Sequence, residues 1–255
     1  MAPLVSKIQK NRSRLDILIA EKGFIKSRER AKSIIMAGKV LVDNNRVDKP
    51  GTLIKNDVKI IVKQDDNPFV SRGGLKLDNA LKRIPLSVKD CVCLDIGAST
   101  GGFTDCLLQN GAAKVYAVDV GYGQFDWSLR QDSRVVLIER TNIRHMPYEK
   151  INKKVDIVVA DTSFISLRIV IPSAEKFMRH DTKVLALIKP QFEAGKKNVG
   201  KGGVVKDSRI INQVIKELAF FFRQRGYSVN QVIPSPVLGR KGNREYIICL
   251  NYREI

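Results

Sequence analysis

Strand and helix patterns alternate along the chain from Cys91 almost to its end. Apolar segments that predict strands occur at 91–96, 114–119, 135–139, 155–160, 183–188, 227–233 and 246–250. Helices fit between most of these segments, and the clearest is predicted at 208–225. Regular alternation of this kind predicts an α/β fold with a doubly wound, parallel sheet, in which ligands bind at the carboxyl ends of the strands.

A smaller and more basic module precedes this region. Residues 1–63 hold 15 of the 45 Lys and Arg residues but only 6 of the 26 Asp and Glu residues, so they carry +9 of the total formal charge of +19. Apolar residues at helical spacing predict two short helices, and strands follow them. We therefore expect a small α+β domain at 1–63, a polar linker at 64–70 and the doubly wound domain at 71–255.

Composition and charge exclude several classes of protein. The longest apolar runs, such as 184–188, fall far below the roughly 18 residues of a transmembrane helix, and the N-terminus lacks an apolar signal segment. The four cysteines, Cys91, Cys93, Cys106 and Cys249, lack metal-ligand spacing, so we expect reduced, buried thiols in a cytoplasmic protein without a metal site. The basic charge indicates a polyanionic partner, but charge alone does not separate RNA, DNA and anionic membrane.

A glycine-rich turn follows the first predicted strand of the large domain, in the segment LDIGASTGGF. Asp95 ends the strand, and Gly97, Gly101 and Gly102 let the backbone approach a ligand where side chains would clash. Asp119 ends the next predicted strand, where a carboxylate can accept both hydroxyls of an adenosine ribose. Because the spacing is not that of the dinucleotide motif GxGxxG, we expect S-adenosylmethionine (SAM). The alternative is a turn that only allows close helix packing.

Two other motifs resemble sites of a different kind. GASTG matches the nucleophile elbow GxSxG, and Ser99, Asp161 and His180 follow in the order of a hydrolase triad. We expect Ser99 to be a turn hydroxyl that faces a cofactor, because the elbow lies on the first strand of its domain and His180 precedes a strand, at the wrong end of the sheet. A serine hydrolase is kept as a further alternative function. GKKNVGKG, at 195–202, resembles a phosphate-binding loop but lacks the final Ser or Thr. It is either a basic loop that contacts a phosphate backbone or a plain surface loop.

Four charged residues fall at positions that the sheet could bring together. Asp161 follows the fourth predicted strand, Lys189 ends the fifth, Glu245 starts the last, and Lys76 precedes the sheet. An antiparallel last strand would bring Glu245 to the edge at which Asp161 and Lys189 lie. The four could then converge beside the methyl group of SAM. The spacing alone fits a pair of surface salt bridges equally well.

The order of these motifs points to a family. The chain closely resembles, over essentially its whole length, the TlyA family of ribosomal RNA ribose 2'-O-methyltransferases, through SRGGLKL, LDIGASTGGFTD, VDVGYGQ, DTSFISL, IKPQFE and GNREY. Residues 14–62 resemble the RNA-binding domain named after ribosomal protein four of the small subunit. Residues 71–252 resemble the FtsJ-type methyltransferase domain. The resemblance implies a Rossmann-like, SAM-dependent methyltransferase sheet behind a small α+β RNA-binding domain.

The resemblance also implies roles for individual residues. Lys76, Asp161, Lys189 and Glu245 match the K-D-K-E catalytic tetrad of the family. The expected SAM contacts are Asp95, Gly97, Ala98, Ser99, Gly101, Gly102, Phe103, Thr104, Asp119, Val120, Asn142 and Asp161. The expected contacts with RNA phosphates are Arg14, Arg28, Arg30, Lys32, Lys39 and Arg46, for which a solvated helix face is the alternative.

The implied reaction is attack by the ribose 2'-hydroxyl of a cytidine in ribosomal RNA, often within assembled ribosomal subunits, on the methyl group of SAM. We expect Lys189 to orient the hydroxyl, Asp161 and Glu245 to position that lysine, and Lys76 to hold the target phosphate or sugar. A monomer is expected, and the alternative function is a non-catalytic, ribosome-binding protein. Members of the family are often labelled haemolysins, yet no membrane span or lipid-seeking amphipathic face stands out in the sequence.

Overall fold

The computed structural model describes residues 11–25, 28–36, 38–62, 67–239 and 241–253, apart from the side chains of Arg30 and Ser33. The chain divides into two compact units, Met1–Asp66 and Asn67–Ile255. The boundary falls inside the segment 64–70 that we predict as a linker, of which residues 64–66 lie outside the described residues.

The described part of the N-terminal unit contains two helices and two small antiparallel sheets. Its helices are α1 (Leu15–Glu21) and α2 (Arg28–Met36), and its strands are β1 (Arg12–Arg14), β2 (Val40–Val42), β3 (Asn45–Arg46), β4 (Leu53–Lys55) and β5 (Ile60–Val62). β1 pairs with β4, and β2 lies between β3 and β5. Leu15, Ile19, Ala31 and Ile35 are fully buried between the helices and the strands. The apolar spacing in the sequence thus identified the buried faces of both helices.

A seven-stranded sheet forms the centre of the C-terminal unit. Its strands are β6 (Val92–Ile96), β7 (Lys114–Val118), β8 (Val135–Ile138), β9 (Val155–Ala160), β10 (Met178–Ile188), β11 (Ser228–Pro234) and β12 (Tyr246–Asn251). They lie in the order β11-β12-β10-β9-β6-β7-β8, and β12 is antiparallel to both of its neighbours while the other pairs are parallel. The predicted α/β fold is confirmed. Because β12 is antiparallel, its first residue lies at the carboxyl edge of the sheet, where Tyr246 pairs with Ile188.

Helices cover both faces of this sheet. They are α3 (Arg72–Leu81), α4 (Gly102–Gln109), α5 (Trp127–Arg130), α6 (Leu167–Ala174), α7 (Pro190–Glu193) and α8 (Ser208–Gln224), with single 3-10 turns at Tyr148–Lys150, Glu175–Phe177 and Lys196–Asn198. Leu77 of α3 and Leu107 of α4 are buried in one apolar core. Ile171 of α6 and Phe222 of α8 are buried in the other. The two cores on opposite faces define the doubly wound arrangement.

Strand β10 begins at Met178, five residues before the predicted start at Lys183. The additional segment is irregular, because its pairing with β9 shifts register between Met178 and Lys183. Buried Thr182 stabilises it by donating to the carbonyl of Val155 and accepting from the amide of Arg179. Because residues 179–182 are polar, the apolar pattern does not predict that the strand begins before Lys183.

Close packing between α3 and α4 fixes the position of α3. The Ser71 hydroxyl accepts a hydrogen bond from the amide of Gly73 and so caps the start of α3. A Cβ atom on Gly102, in α4, would lie 2.2 Å from the Ser71 hydroxyl, and one on Gly74 would lie 2.2 Å from the buried ring of Phe69. Both glycines are therefore required by packing. They allow α3, the helix that carries Lys76, to pack closely against α4 and Phe69.

We expect Gly74→Ala to lower the free energy of unfolding by about 2–3 kcal/mol, because the added methyl group overlaps an immobile aromatic ring. Gly73→Ala is the matched control. Its Cβ would lie 3.3 Å from the rotatable Ser71 hydroxyl, so a nearly neutral change is expected. Urea denaturation of both variants measures the difference, and equal stability of the two would contradict this account of the glycine pair.

Candidate active site

Four charged side chains meet at the carboxyl edge of the sheet. Lys76 lies on α3, Asp161 follows β9, Lys189 follows β10 and Glu245 precedes β12. Lys76 Nζ donates a 2.7 Å hydrogen bond to Glu245 Oε2 and lies 3.7 Å from Asp161 Oδ2. Lys189 Nζ lies 2.6 Å from Asp161 Oδ1. The four form a chain of alternating charges in which Asp161 is shared by both lysines.

These ion pairs are not surface salt bridges. The side chain of Glu245 is 3% exposed, those of the two lysines are 11% exposed, and that of Asp161 is 21% exposed. Opposite charges that are partly removed from water attract each other more strongly than exposed pairs do. Glu245 contacts Lys76, whereas Asp161 is the carboxylate that lies next to Lys189. That Glu245 helps to position Lys189 stays a prediction.

Lys189 has a second partner that the sequence analysis missed. Its ammonium donates a 2.9 Å hydrogen bond to the Ser163 hydroxyl, whereas its approach to Asp161 is a charge contact without hydrogen-bond geometry. Ser163 lies two residues after Asp161 in the motif DTSFISL. Ser163 thus sets the direction in which Lys189 points, and Asp161 balances its charge.

The loops after β9 and β10 are joined to each other. Glu193, at the end of α7, accepts hydrogen bonds from the Ser166 hydroxyl and the Leu167 amide at the start of α6, and burial raises the pKa of its carboxyl group. The rings of Phe164 and Phe192 pack 4.9 Å apart. Phe164 is 90% exposed and has a φ of +65°, so an aromatic face is presented to solvent beside Ser163.

The glycine-rich turn after β6 lies against the same carboxylate residue. Gly97 has a φ of +82°, and a Cβ atom there would lie 2.9 Å from the backbone oxygen of Asp161. Gly101 has a φ of +95°, and a Cβ atom there would overlap Leu129. Close packing and positive φ angles therefore explain why these two positions are glycines. This explanation does not exclude a ligand, because Ser99 lies exposed at the tip of the turn.

Asp119, directly after β7, accepts hydrogen bonds at both carboxylate oxygens. The Ser99 amide donates to one at 2.7 Å and the Gly121 amide donates to the other at 2.6 Å. The oxygen bonded to Gly121 also accepts a long, 3.4 Å hydrogen bond from the Gln124 side-chain amide. The oxygen bonded to Ser99 can accept a further bond, and the other can do so in place of Gln124, so vicinal ribose hydroxyls can still be recognised. Exposed Val120 and Asn142 flank this position. A carboxylate acceptor, an apolar side chain and an exposed turn suit the adenosine portion of SAM.

Seven of the twelve predicted SAM contacts are buried, among them Gly101, Gly102 and Asp119. The other four, Ala98, Phe103, Thr104 and Asp95, are at most 4% exposed and lie beneath the turn. The Thr104 hydroxyl donates a 2.7 Å hydrogen bond to Asp95 Oδ2, while Asp95 Oδ1 has no partner among the described residues. Burial raises the pKa of Asp95 to about 7. These side chains support the turn from inside, and their contact with SAM stays a prediction.

The structure does not assemble a hydrolase triad. Ser99 and Asp161 lie at the carboxyl edge of the sheet, whereas His180 lies near the start of β10, at the opposite edge, and is within 3.7 Å of Asp181. The phosphate-loop-like segment 195–202 contains a 3-10 turn and an isolated bridge between Gly200 and Val204 rather than the start of a long helix.

Basic side chains predicted to contact RNA lie in the N-terminal unit. Arg14 and Arg28 are both bonded to Asp16, Lys32 is 3.9 Å from Glu29, and Arg46 is exposed and lies across Gly38. Lys39 is partly buried, and the side chain of Arg30 lies outside the described residues. Their contact with RNA stays a prediction.

Among the described residues, no helix is both long and apolar enough to cross a lipid bilayer. No cluster of three or more His, Cys, Asp and Glu residues is arranged in this part of the chain to hold a metal ion.

Comparisons with known proteins match both units. The family of FtsJ-like methyltransferases matches residues 69–252, and the S4 domain family matches residues 13–60. The 16S/23S rRNA (cytidine-2'-O)-methyltransferase TlyA of Mycobacterium tuberculosis is 44% identical, over 94% of this chain and 90% of the relative. Hemolysin A of Brachyspira hyodysenteriae is 42% identical, over 92% of this chain and 98% of the relative.

A solved structure of a hemolysin-named protein from Streptococcus thermophilus has the same fold. It superposes with a TM-score of 0.75 at 42% identity and covers 96% of this chain and 90% of that chain. The mycobacterial protein named as a methyltransferase and these two proteins named as hemolysins are therefore 42–44% identical to this chain.

The buried carboxyl group of Asp95 should make stability depend on pH. A pKa raised to about 7 means that ionisation of the folded protein costs free energy, so this contribution weakens stability progressively as pH rises from about 4 to about 7. Asp95→Asn cannot ionise and keeps an acceptor for Thr104. We expect its melting temperature, relative to wild type, to increase over that range by about 10 °C and then to level off. A difference that is constant with pH would contradict the assignment.

Proposed function

This chain belongs to the FtsJ-like methyltransferase family, and we propose that it uses SAM to methylate the 2'-hydroxyl of a cytidine ribose in ribosomal RNA. The observation on which this proposal depends is the shared Asp161, which pairs with both Lys76 and Lys189 directly beside the glycine-rich turn. The name of the mycobacterial relative supports the choice of ribosomal RNA and of cytidine. An RNA substrate of this kind also supports a cytoplasmic location.

The residues around the turn suit SAM as the cofactor. Asp119 would accept the ribose hydroxyls, Val120 would cover the adenine, and the backbone from Gly97 to Gly101 would follow the remainder of the molecule. When bound, SAM supplies a methyl group on a positively charged sulfur, which is already activated for transfer. The protein therefore has to align the attacking oxygen and exclude competing water.

Lys189 is the residue best placed to orient the ribose hydroxyl. An ammonium group has three N–H donors, and one of them is directed to the Ser163 hydroxyl. Another can be donated to the 2'-oxygen of the ribose. Because Asp161 balances the charge of Lys189 at 2.6 Å, the ammonium group can be accommodated in the site and can stabilise the negative charge that develops on the oxygen.

Asp161 is the nearest group that can accept the proton of the hydroxyl. It stays close to two ammonium groups, so the proton would leave late, as the methyl group is transferred. Lys76 is bonded to Glu245 and close to Asp161, and this pairing keeps the carboxylates fixed. Lys76 thus serves the site by holding Asp161 in place, in addition to any contact with the RNA.

Surrounding residues suit a single nucleotide that has been unstacked from the RNA. The exposed ring of Phe164, next to Ser163, offers a face on which a base can stack. A basic loop lies near Glu245, because buried Asn243 accepts from the Val205 amide and donates to the Gly203 carbonyl. Lysines 196, 197, 201 and 206 in or next to this loop can neutralise RNA phosphates.

Methyl transfer from labelled SAM to purified ribosomal subunits tests the proposal. Wild-type protein should label one or both subunits, and Lys189→Ala should lower the rate by at least about 100-fold while SAM still binds. Lys183→Ala is the matched control, because this lysine lies on the same strand far from the site, and it should be as active as wild type. Ser163→Ala should lose about tenfold, since Lys189 remains but is less well directed.

Two results would count against the assignment. Full turnover of Lys189→Ala would remove this lysine from the mechanism. Binding of SAM without transfer to either subunit would favour a non-catalytic, ribosome-binding protein or an RNA of another kind.

The N-terminal unit should supply affinity for RNA and no part of the chemistry. We expect deletion of residues 1–63 to leave the Kd for SAM unchanged, as measured by calorimetry, and to raise the KM for ribosomal subunits at least about tenfold, because the contacts of the basic unit with RNA phosphates are lost. Methylation kinetics that match those of the full chain would contradict this division of roles.

A further inference from the structure

A buried carboxylate joins two arginines in the N-terminal unit. Asp16, in the first turn of α1, is fully buried. The guanidinium group of Arg14 donates to both of its oxygens, from Nε at 3.0 Å and from Nη2 at 3.2 Å. Arg28, at the start of α2, donates from Nε to Asp16 Oδ2 at 2.9 Å. One carboxylate therefore connects the beginnings of both helices.

The two arginines are held at fixed positions but are not buried. Their side chains are 44% and 45% exposed, while that of Asp16 is 0% exposed. The guanidinium group of Arg14 also lies against Gly51, where a Cβ atom would be 3.1 Å from Nη1. The two guanidinium groups repel each other, and the pKa of Asp16, lowered to about 2 chiefly by its bond with Arg14, means that a full negative charge lies between them. This cluster carries a net charge of +1.

We propose that Asp16 holds Arg14 and Arg28 as a preformed binding site for one phosphate group of the RNA backbone, an inference that rests on the proposed RNA substrate. Each guanidinium group has five N–H donors, and the bonds to Asp16 use two from Arg14 and one from Arg28. Donors remain on both exposed groups. Two guanidinium groups that share a carboxylate are close enough together to bind the same phosphate.

Fixed arginines bind phosphate more tightly than free ones. A solvated arginine loses rotamer freedom when it is immobilised on a ligand. Here the folding of the unit has already fixed both side chains. Contacts with phosphate carry no sequence information, so the site would recognise the spacing of the backbone and orient the unit on structured RNA. Asp16 is then a positioning residue, which acts through the two arginines.

Asp16→Asn separates this inference from simple attraction between charges. The substitution makes the unit more positive by one charge, so attraction alone predicts tighter binding of RNA. The control Asp48→Asn makes the same change of charge at an exposed position. We expect Asp16→Asn in the full chain to weaken binding of a fluorescein-labelled RNA hairpin about fivefold or more, while Asp48→Asn binds as tightly as wild type or more tightly. Fluorescence anisotropy at several salt concentrations measures both.

A second variant decides the outcome if Asp16→Asn unfolds the N-terminal unit, which circular dichroism would report. Arg28→Lys keeps the charge and leaves Asp16 in place, but a lysine cannot hold the carboxylate and a phosphate in the same way. Weaker binding by this variant, in folded protein, supports the site. Binding by folded Asp16→Asn or by Arg28→Lys that equals wild type overturns it. Neither readout involves methyl transfer, so failure of the proposed reaction would be seen separately.

Discussion

The carboxylate of Asp161 is the contact on which the arrangement of the site depends. Its oxygens lie close to Lys76 and Lys189, and its backbone oxygen lies against Gly97, so that even a Cβ atom is excluded there. The residue that pairs with both lysines is thus in direct contact with the turn that would hold the cofactor. A shift of the turn would move these charged groups with it. Close packing between the end of β6 and the end of β9 therefore couples the position of the turn to that of the ion pairs.

The sheet topology explains how distant parts of the chain contribute to this contact. Lys76 and Glu245 are 169 residues apart, and they meet because β12 enters the sheet antiparallel to β10. A parallel strand at that position would begin at the opposite edge and leave Lys76 without its buried partner. Lys76 itself is set by Gly74 and Gly102, which allow α3 to pack closely on its neighbours. The site therefore requires a reversal of strand direction and two positions without side chains.

Much of the fold could be predicted from the sequence, because apolar periodicity is a local property. The seven strands and the buried faces of α1 and α2 follow from it, and so does the convergence of strand ends. Three features could not be predicted this way. The pairing of Glu245 with Lys76 depends on the tertiary approach of α3, the role of Glu193 depends on two loops that meet in space, and burial of Asp16 depends on the packing of α1 on α2. In each case a polar residue is recognisable, but its partner is fixed only by the folded chain.

The two units contain the same electrostatic arrangement, and we assign it a different role in each. In each unit one carboxylate is shared by two cationic side chains, Arg14 and Arg28 at Asp16 and the two lysines at Asp161. Sharing reduces the repulsion that would otherwise separate like charges. Arginines, which stay half exposed and offer further donors, suit lasting contact with a phosphate. The two lysines are only 11% exposed. They suit a site in which negative charge would develop on one oxygen atom only during the reaction, because a compact ammonium group can stay in contact with that atom while the methyl group is transferred.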